Sequence, residues 1–210
     1  MVTGLKIKVC GMGSSDNIMG VTTLSPDYLG FIFVESSLRN FKTTIPKISN
    51  SIKKTGVFVN ETFEFVREKI IKHQLEAVQL HGTESYSFCE KIKELEVEVI
   101  KVFSVKDTFD FSVLTPYESV VNYFLFDTKG KLAGGNGVTF DWNVLHKYSS
   151  SVPFFLSGGI GLEEIDAIKT LLQLDLPMYG LDLNSKFEDA PAEKNIDKLS
   201  DFLIKLNTHE

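Results

Sequence analysis

The sequence predicts an α/β protein built as a single-domain (β/α)8 TIM barrel over residues 1–210, and three observations carry that prediction. Eight short runs rich in β-branched and aromatic residues recur along the chain, their starts 21 to 31 residues apart. Each interval has room for one helix and two loops, the length of a βα repeat. The runs are nearly continuous in hydrophobicity, as parallel strands covered on both faces must be. An open doubly wound sheet has the same spacing and remains the structural competitor at this point. No linker, low-complexity tract or internal repeat divides the chain.

Strands are expected at Lys6–Val9, Tyr28–Phe33, Thr55–Val59, Ala77–Leu80, Glu98–Val102, Tyr123–Phe126, Phe154–Ser157 and Met178–Leu181. Eight helices are expected between and after them. Thr62 can cap a helix from Phe63 to His73, where Phe63, Val66 and Ile70 share a face. Thr83 precedes a stripe of Tyr86, Cys89, Ile92 and Leu95. Leu162 to Leu172 places Ile165, Ile168 and Leu172 together, and Ile196 to Leu206 aligns Leu199, Leu203 and Leu206.

Composition excludes several function classes. Hydrophobic residues make up 43% and charged residues 24%, a balance typical of folded globular chains. No apolar run approaches the ~18 residues of a membrane span. The opening MVTGLKIKVCGMG lacks the apolar core and cleavage site of a secretory signal, so the cytoplasm is the expected compartment. Net charge is −6 with signs intermixed, and the basic stripe of a nucleic-acid binder is not visible. Cys10 and Cys89 make no disulfide framework. The histidines, His73, His81, His146 and His209, lack ligand spacing, so no metal is expected.

In such a barrel, active-site residues stand at the C-terminal ends of strands and in the loops that follow. That rule selects Cys10, Arg39, Asn60, His81, Asp127, Gly158-Gly159, Asp182 and Asn184-Ser185. A free thiol with a pKa of ~8.5 is a weak base unless its thiolate is favoured. Cys10 is equally readable as a small buried hydrophobe, and position leaves both open. Cys89, on a helical stripe, reads as packing. Asp127 closes an apolar strand, where partial desolvation raises a carboxyl's pKa and equips it to donate a proton. Its alternative is a cap or loop acceptor, a role Thr128 could fill. Gly158-Gly159 ends the seventh strand, where backbone N–H groups can approach an anion. Arg39 offers a fork suited to a carboxylate, but position alone does not separate it from a solvated surface arginine. The long Lys129–Gly137 loop is of the kind that is often functional.

Several segments carry more. Lys8-Val9-Cys10-Gly11 fits K-[IV]-C-G. Asp27-Tyr28-Leu29-Gly30-Phe31-Ile32-Phe33 with Ser36-Ser37-Leu38-Arg39 fits D-x-x-G-F-[IV]-F…S-x-R. Gly56-Val57-Phe58-Val59-Asn60 and Val78-Gln79-Leu80-His81-Gly82 follow. Phe126-Asp127-Thr128, Gly134-Gly135-Asn136-Gly137, Phe140-Asp141-Trp142, Leu156-Ser157-Gly158-Gly159 and Leu181-Asp182-Leu183-Asn184-Ser185 complete the order. Together, from Lys6 to about Lys194, they resemble phosphoribosylanthranilate isomerase.

The resemblance implies an Amadori rearrangement of N-(5-phosphoribosyl)anthranilate in tryptophan biosynthesis, with no metal or other cofactor. It implies Cys10 as general base and Asp127 as general acid. It places Arg39 on the anthranilate carboxylate, with His81, Asp182 and Gly135 at the substrate. Gly158, Gly159, Asn184 and Ser185 would hold the phosphate, and the Gly134–Gly137 loop would act as a lid. The expected partner is a small phosphorylated substrate, with neither nucleic acid nor membrane. The family contains monomers and dimers, so a monomer or a homodimer is expected. The sibling ProFAR isomerase of histidine synthesis uses an aspartate where Cys10 stands, which counts against it. A silent, binding-only barrel would have no need of both Cys10 and Asp127. Four departures stand out: Lys186 where the family has Gly, Pro191-Ala192 where it has Pro-Gly, Gly13 where Thr or Arg is common, and Leu38 in place of Pro.

Overall fold

The computed structural model describes residues 4–106, 108–128 and 141–208. Its strands are β1 (Lys6–Cys10), β2 (Tyr28–Ile32), β3 (Lys53–Phe58), β4 (Ala77–Leu80), β5 (Glu98–Val105), β6 (Tyr123–Thr128), β7 (Phe154–Leu156) and β8 (Met178–Leu183). They pair in parallel in chain order, and β8 closes on β1 through the register Lys6↔Gly180 to Val9↔Leu183. Closure excludes the open sheet. Every expected strand is present, with ends shifted by a few residues.

The expectation of eight helices is corrected. Among the described residues there are five α-helices: α1 (Ser15–Thr22), α2 (Phe63–His73), α3 (Tyr86–Lys93), α4 (Ile165–Leu171) and α5 (Ile196–Asn207). Among the described residues after β5 and after β6, the helical segments are 3-10, Phe111–Tyr117 and Trp142–Lys147. Between β2 and β3 the chain forms no helix. Pro116 lies inside the first 3-10 segment and removes a backbone donor. Between β2 and β3, the β-branched run Thr43-Thr44-Ile45 meets Pro46, which disfavours helix twice over.

The helices that form have local reasons. Thr62 accepts from the Phe65 N–H at the start of α2, and Gln74 ends that helix in the left-handed region. Ser85, two residues nearer than Thr83, caps α3, and Asn195 caps α5. The stretch Leu162–Leu172 divides into a 3-10 turn, Leu162–Glu164, and α4. A hairpin that the pattern did not suggest, β9 (Glu188–Ala190) with β10 (Glu193–Lys194), follows β8.

Strand alternation sorts the side chains into two cores. Val9, Leu29, Phe31 and Phe124 pack outward against Ile18, Val66, Cys89 and Leu199. Tyr28, Ile100, Leu125 and Phe155 fill the barrel interior. Each fully buried Leu, Ile or Phe contributes ~1.5–3 kcal/mol. On β1 this parity turns Val9 to the helices and leaves Lys8 and Cys10 facing the axis. That inward parity places a thiol at the mouth.

Candidate active site

A cavity of about 320 Å3 opens among the C-terminal strand ends, and Cys10, Arg39, His81, Asp127, Gly158, Gly159, Asp182, Asn184 and Ser185 all line it. Gly135 and the Gly134–Gly137 loop lie outside the described residues. Asn60 is not on the cavity wall: its Oδ1 accepts from the Thr83 N–H at 2.7 Å and clips two loops together.

Cys10 ends β1, 3% exposed. Its sulfur has room because Gly30 stands opposite on β2, where an added Cβ would come within 2.6 Å of Sγ. Burial pushes the thiol pKa up, the Lys8 and Lys194 ammoniums pull it back, and the Asp182 carboxylate adds to the rise. Lys8 is fully buried and donates from Nζ to Asp182 Oδ1 at 2.7 Å. Ser157 Oγ donates to Asp182 Oδ2 at 3.3 Å, so both oxygens of that carboxylate are engaged.

Asp127 stands near the end of β6, with Oδ2 3.3 Å from His81 Nε2. Gln79 Nε2 lies 3.1 Å from His81 Nδ1. A Gln79 amide donating to Nδ1 leaves the ring proton on Nε2, facing the carboxylate. The loop that carries His81 is held from below by Lys101, which donates to the Gly82 carbonyl at 2.8 Å and to Glu84 Oε2 at 2.9 Å. The Glu84 carboxylate also accepts from the Asn60 and Gly82 N–H groups.

Arg39 forks onto Glu188, with Nε 2.9 Å from Oε1 and Nη2 2.6 Å from Oε2. Hydrogen bonding to Glu188 raises the guanidinium pKa further. Nη1 has no hydrogen-bond partner among the described residues, so a second edge of the fork is available to a carboxylate. Lys194 Nζ also donates to Glu188 Oε1, at 2.6 Å, and to Asn184 Oδ1 at 2.8 Å. One carboxylate between two cations leaves a local excess of positive charge. Facing this polar edge, Ile32, Val34, Val57 and Val59 form an apolar wall suited to a planar ring.

At the other end, Gly158 and Gly159 have φ of +86° and +72°. Two successive residues with positive φ make a tight turn in which any side chain would be strained, which is why both are glycine. Lys186 lines the cavity beside them. A thiol, a carboxyl, a guanidinium edge, an apolar wall and a double-glycine turn thus share one mouth.

The sequence matches the family model for N-(5'phosphoribosyl)anthranilate (PRA) isomerase over residues 7–205. The chain belongs to the phosphoribosylanthranilate isomerase family. An N-(5'-phosphoribosyl)anthranilate isomerase from Parabacteroides distasonis is 42% identical over 208 residues, covering 95% of this chain and 92% of that one. The Phocaeicola vulgatus enzyme of the same name is 39% identical, covering 95% and 97%. The crystal structure of phosphoribosylanthranilate isomerase from Thermotoga maritima superposes with a TM-score of 0.81 at 27% identity, covering 96% of this chain and 98% of that one. A phosphoribosylanthranilate isomerase in complex with reduced 1-(o-carboxyphenylamino)-1-deoxyribulose 5-phosphate superposes at 0.79 with 26% identity and the same coverage.

Within this isomerase family the departures acquire structural meaning. Ala192 stands in the left-handed region, with φ of 68°, where the family pattern has Gly. Gly13 faces it so closely that an added Cβ would come within 2.8 Å of the Ala192 Cβ. Sequence reasoning missed Lys8, Gln79, Lys101, Glu188 and Lys194 as functional surroundings. Lys8 had one legible signal, a charge sharing the parity of Cys10 in the middle of a short strand. Glu188 and Lys194 had none, because their hairpin was not foreseen. Among the described residues no group of three His, Cys, Asp or Glu side chains could hold a metal ion. No helix among them is long and apolar enough to cross a membrane.

Proposed function

We propose that this chain converts N-(5'-phosphoribosyl)anthranilate into 1-(2-carboxyphenylamino)-1-deoxy-D-ribulose 5-phosphate in tryptophan biosynthesis, with Cys10 as general base and Asp127 as general acid. The observation that carries the assignment of roles is that this thiol and this carboxyl, from β1 and β6, border one cavity with the double-glycine turn at its rim. Asp127 gives its proton to the ribose ring oxygen, the C1′–O bond breaks, and an iminium forms between C1′ and the anthranilate nitrogen. That cation acidifies C2′–H. The Cys10 thiolate takes the proton, leaving an enolamine. Protonation at C1′ and loss of the C2′ hydroxyl proton then give the ketone. Each step is a proton transfer by a placed group, worth ~10²–10⁴ in rate.

The remaining side chains place the substrate. Arg39 holds the anthranilate carboxylate through its Nη1 edge, and the ring lies on the Ile32–Val57 wall with His81 and Asp182 around it. The Gly158-Gly159 turn, with Asn184 and Ser185, holds the phosphate. Residues 1–210 act in this reading as one catalytic unit on a free, phosphorylated small molecule.

The test is the anthranilate fluorescence of the substrate, which falls on turnover. Wild type should show that fall, and Asp127→Asn and Cys10→Ala should each lose ~10²–10⁴ in kcat with unchanged circular dichroism. A near-normal rate from either variant would remove that residue from its role.

A further inference from the structure

Beneath the thiol lies a fully buried lysine that the acid–base scheme does not use. Lys8 is 0% exposed, two residues before Cys10 on the same inward face of β1, and its ammonium bonds Asp182 at 2.7 Å. Packing alone is a poor reason for it. Taking an ammonium and a carboxylate out of water costs several kcal/mol each after relaxation, and apolar residues of similar volume often serve a core as well or better. The interior core around Ile100, Leu125 and Phe155 is apolar, and Thr55 and Gln79, polar and buried on the same inward face, carry no charge.

We propose that Lys8 is a positioning residue that supplies the counter-charge for the Cys10 thiolate, with Asp182 as the tether that fixes the ammonium beside the sulfur. An ammonium has three donors. Among the described residues Asp182 Oδ1 is the one oxygen that Lys8 bonds, which leaves protons to meet a sulfur anion. Ser157 steadies the other Asp182 oxygen, so the tether does not swing. The remaining charges around Cys10 are placed differently. Lys194 from β10 and Arg39 after β2 face it, and both are already bound to Glu188. His81 and Asp127, from β4 and β6, border the same cavity and pair with each other. Lys8 therefore sits between the Asp182 carboxylate and a thiol that is anionic only when poised to take a proton. As Cys10 takes the C2′ proton, the ammonium is left with Asp182 alone.

This rests on Cys10 being the base, but its test does not. Iodoacetamide alkylation of Cys10, located by mass spectrometry so that Cys89 is scored separately, reads thiolate formation without turnover. The two members of the pair act in opposite directions: the ammonium favours the thiolate and the carboxylate opposes it. Lys8→Met should move the alkylation inflection to higher pH and slow the reaction about tenfold at pH 8, one pKa unit. Asp182→Asn should move it to lower pH and speed the reaction. The acid limb of the kcat profile should follow Lys8→Met upward, because activity then needs higher pH to form the thiolate. Inflections that stay put, or move the same way in both variants, overturn the proposal. Should Lys8→Met fail to fold, Lys8→Gln, which keeps a donor to Asp182 without the charge, decides instead: slower alkylation at pH 8 supports the counter-charge and an unchanged or faster reaction removes it. If Cys10→Ala instead keeps normal turnover, the base assignment falls while the alkylation result still stands.

Discussion

At the N-terminal end of the barrel the interior is closed by Tyr28, Tyr123, Tyr179 and Phe155, packed edge to face or stacked at centroid distances of 4.2–6.4 Å. Their polar tips are tied off: the Tyr28 hydroxyl donates to Glu98 at 3.0 Å and meets the Tyr179 hydroxyl at 3.1 Å, and Lys53 pairs with Glu98. At the C-terminal end the same strands carry a buried thiol, a buried lysine, paired carboxylates and left-handed backbone around an open cavity. At one end the charges beside the plug, Lys53 and Glu98, neutralise each other. The other holds charges whose geometry anticipates a ligand. The difference teaches that one set of strands can concentrate stability at one end and reactivity at the other, because alternation delivers side chains to both ends independently.

The sharpest way to break that comparison is to remove the aromatic plug. Phe155 touches Tyr28, Tyr123 and Tyr179 with its ring edges or faces. Phe155→Ala is expected to cost ~3–5 kcal/mol of unfolding free energy by denaturant titration. kcat, measured well below the lowered Tm, should stay within about twofold of wild type. A large loss of kcat in the folded variant would show that the two ends are coupled.

The two ends also differ in how much of them was legible. The strands were readable throughout, since a run buried on both faces announces itself in hydrophobicity alone. Cys10, Asp127 and Gly158-Gly159 were readable because each directly follows such a run. The plug was only half visible: Tyr28, Tyr123 and Tyr179 open their strands, but nothing in a single strand says that three tyrosines converge. The ion pairs were not visible. Lys8 with Asp182 and Arg39 with Glu188 join residues that are far apart in the chain, and closure is what brings them together; Lys101 with Glu84 joins neighbouring strand ends through a side chain the pattern reads only as solvated. Two of the absent helices, between β2 and β3 and after β5, were readable from Pro46 and Pro116, local breakers that the repeat spacing outweighed.

A smaller effect tests the ligand-facing end. Lys186 replaces the family's Gly, and its stem lies against the turn after β7, with Cβ and Cγ 3.4 and 3.5 Å from where a Gly161 side chain would begin. Lys186→Met keeps that stem and removes the charge. Partly solvated, such a charge contributes about 1 kcal/mol, so KM for the phosphorylated substrate should rise about fivefold. kcat and Tm should hold, and inorganic phosphate should weaken as a competitor by the same factor. An unchanged KM would place the ammonium in solvent.

The smallest effect concerns backbone rather than charge. Ala192 closes the β9–β10 turn at φ 68°, a conformation that costs a residue with a Cβ ~1–2 kcal/mol. Its N–H donates to Glu188 Oε1 at 3.1 Å, so the turn that bears this strain also helps hold the carboxylate under Arg39. Ala192→Gly relieves the strain but loosens the unfolded chain by ~0.4–1 kcal/mol. The net gain should be ~0.5–1 kcal/mol, a rise in Tm of about 2 °C for a chain of this length. The gap opened toward Gly13 subtracts little, since only one methyl leaves. KM should not move, because the Ala192 N–H bond to Glu188 is a backbone bond that glycine keeps. A variant that melts lower, or binds substrate more weakly, would mean that the Ala192 methyl against Gly13 stiffens the hairpin by more than its backbone angle costs. The strain at the mouth would then be a working part of the Arg39 support, absent from the plugged end.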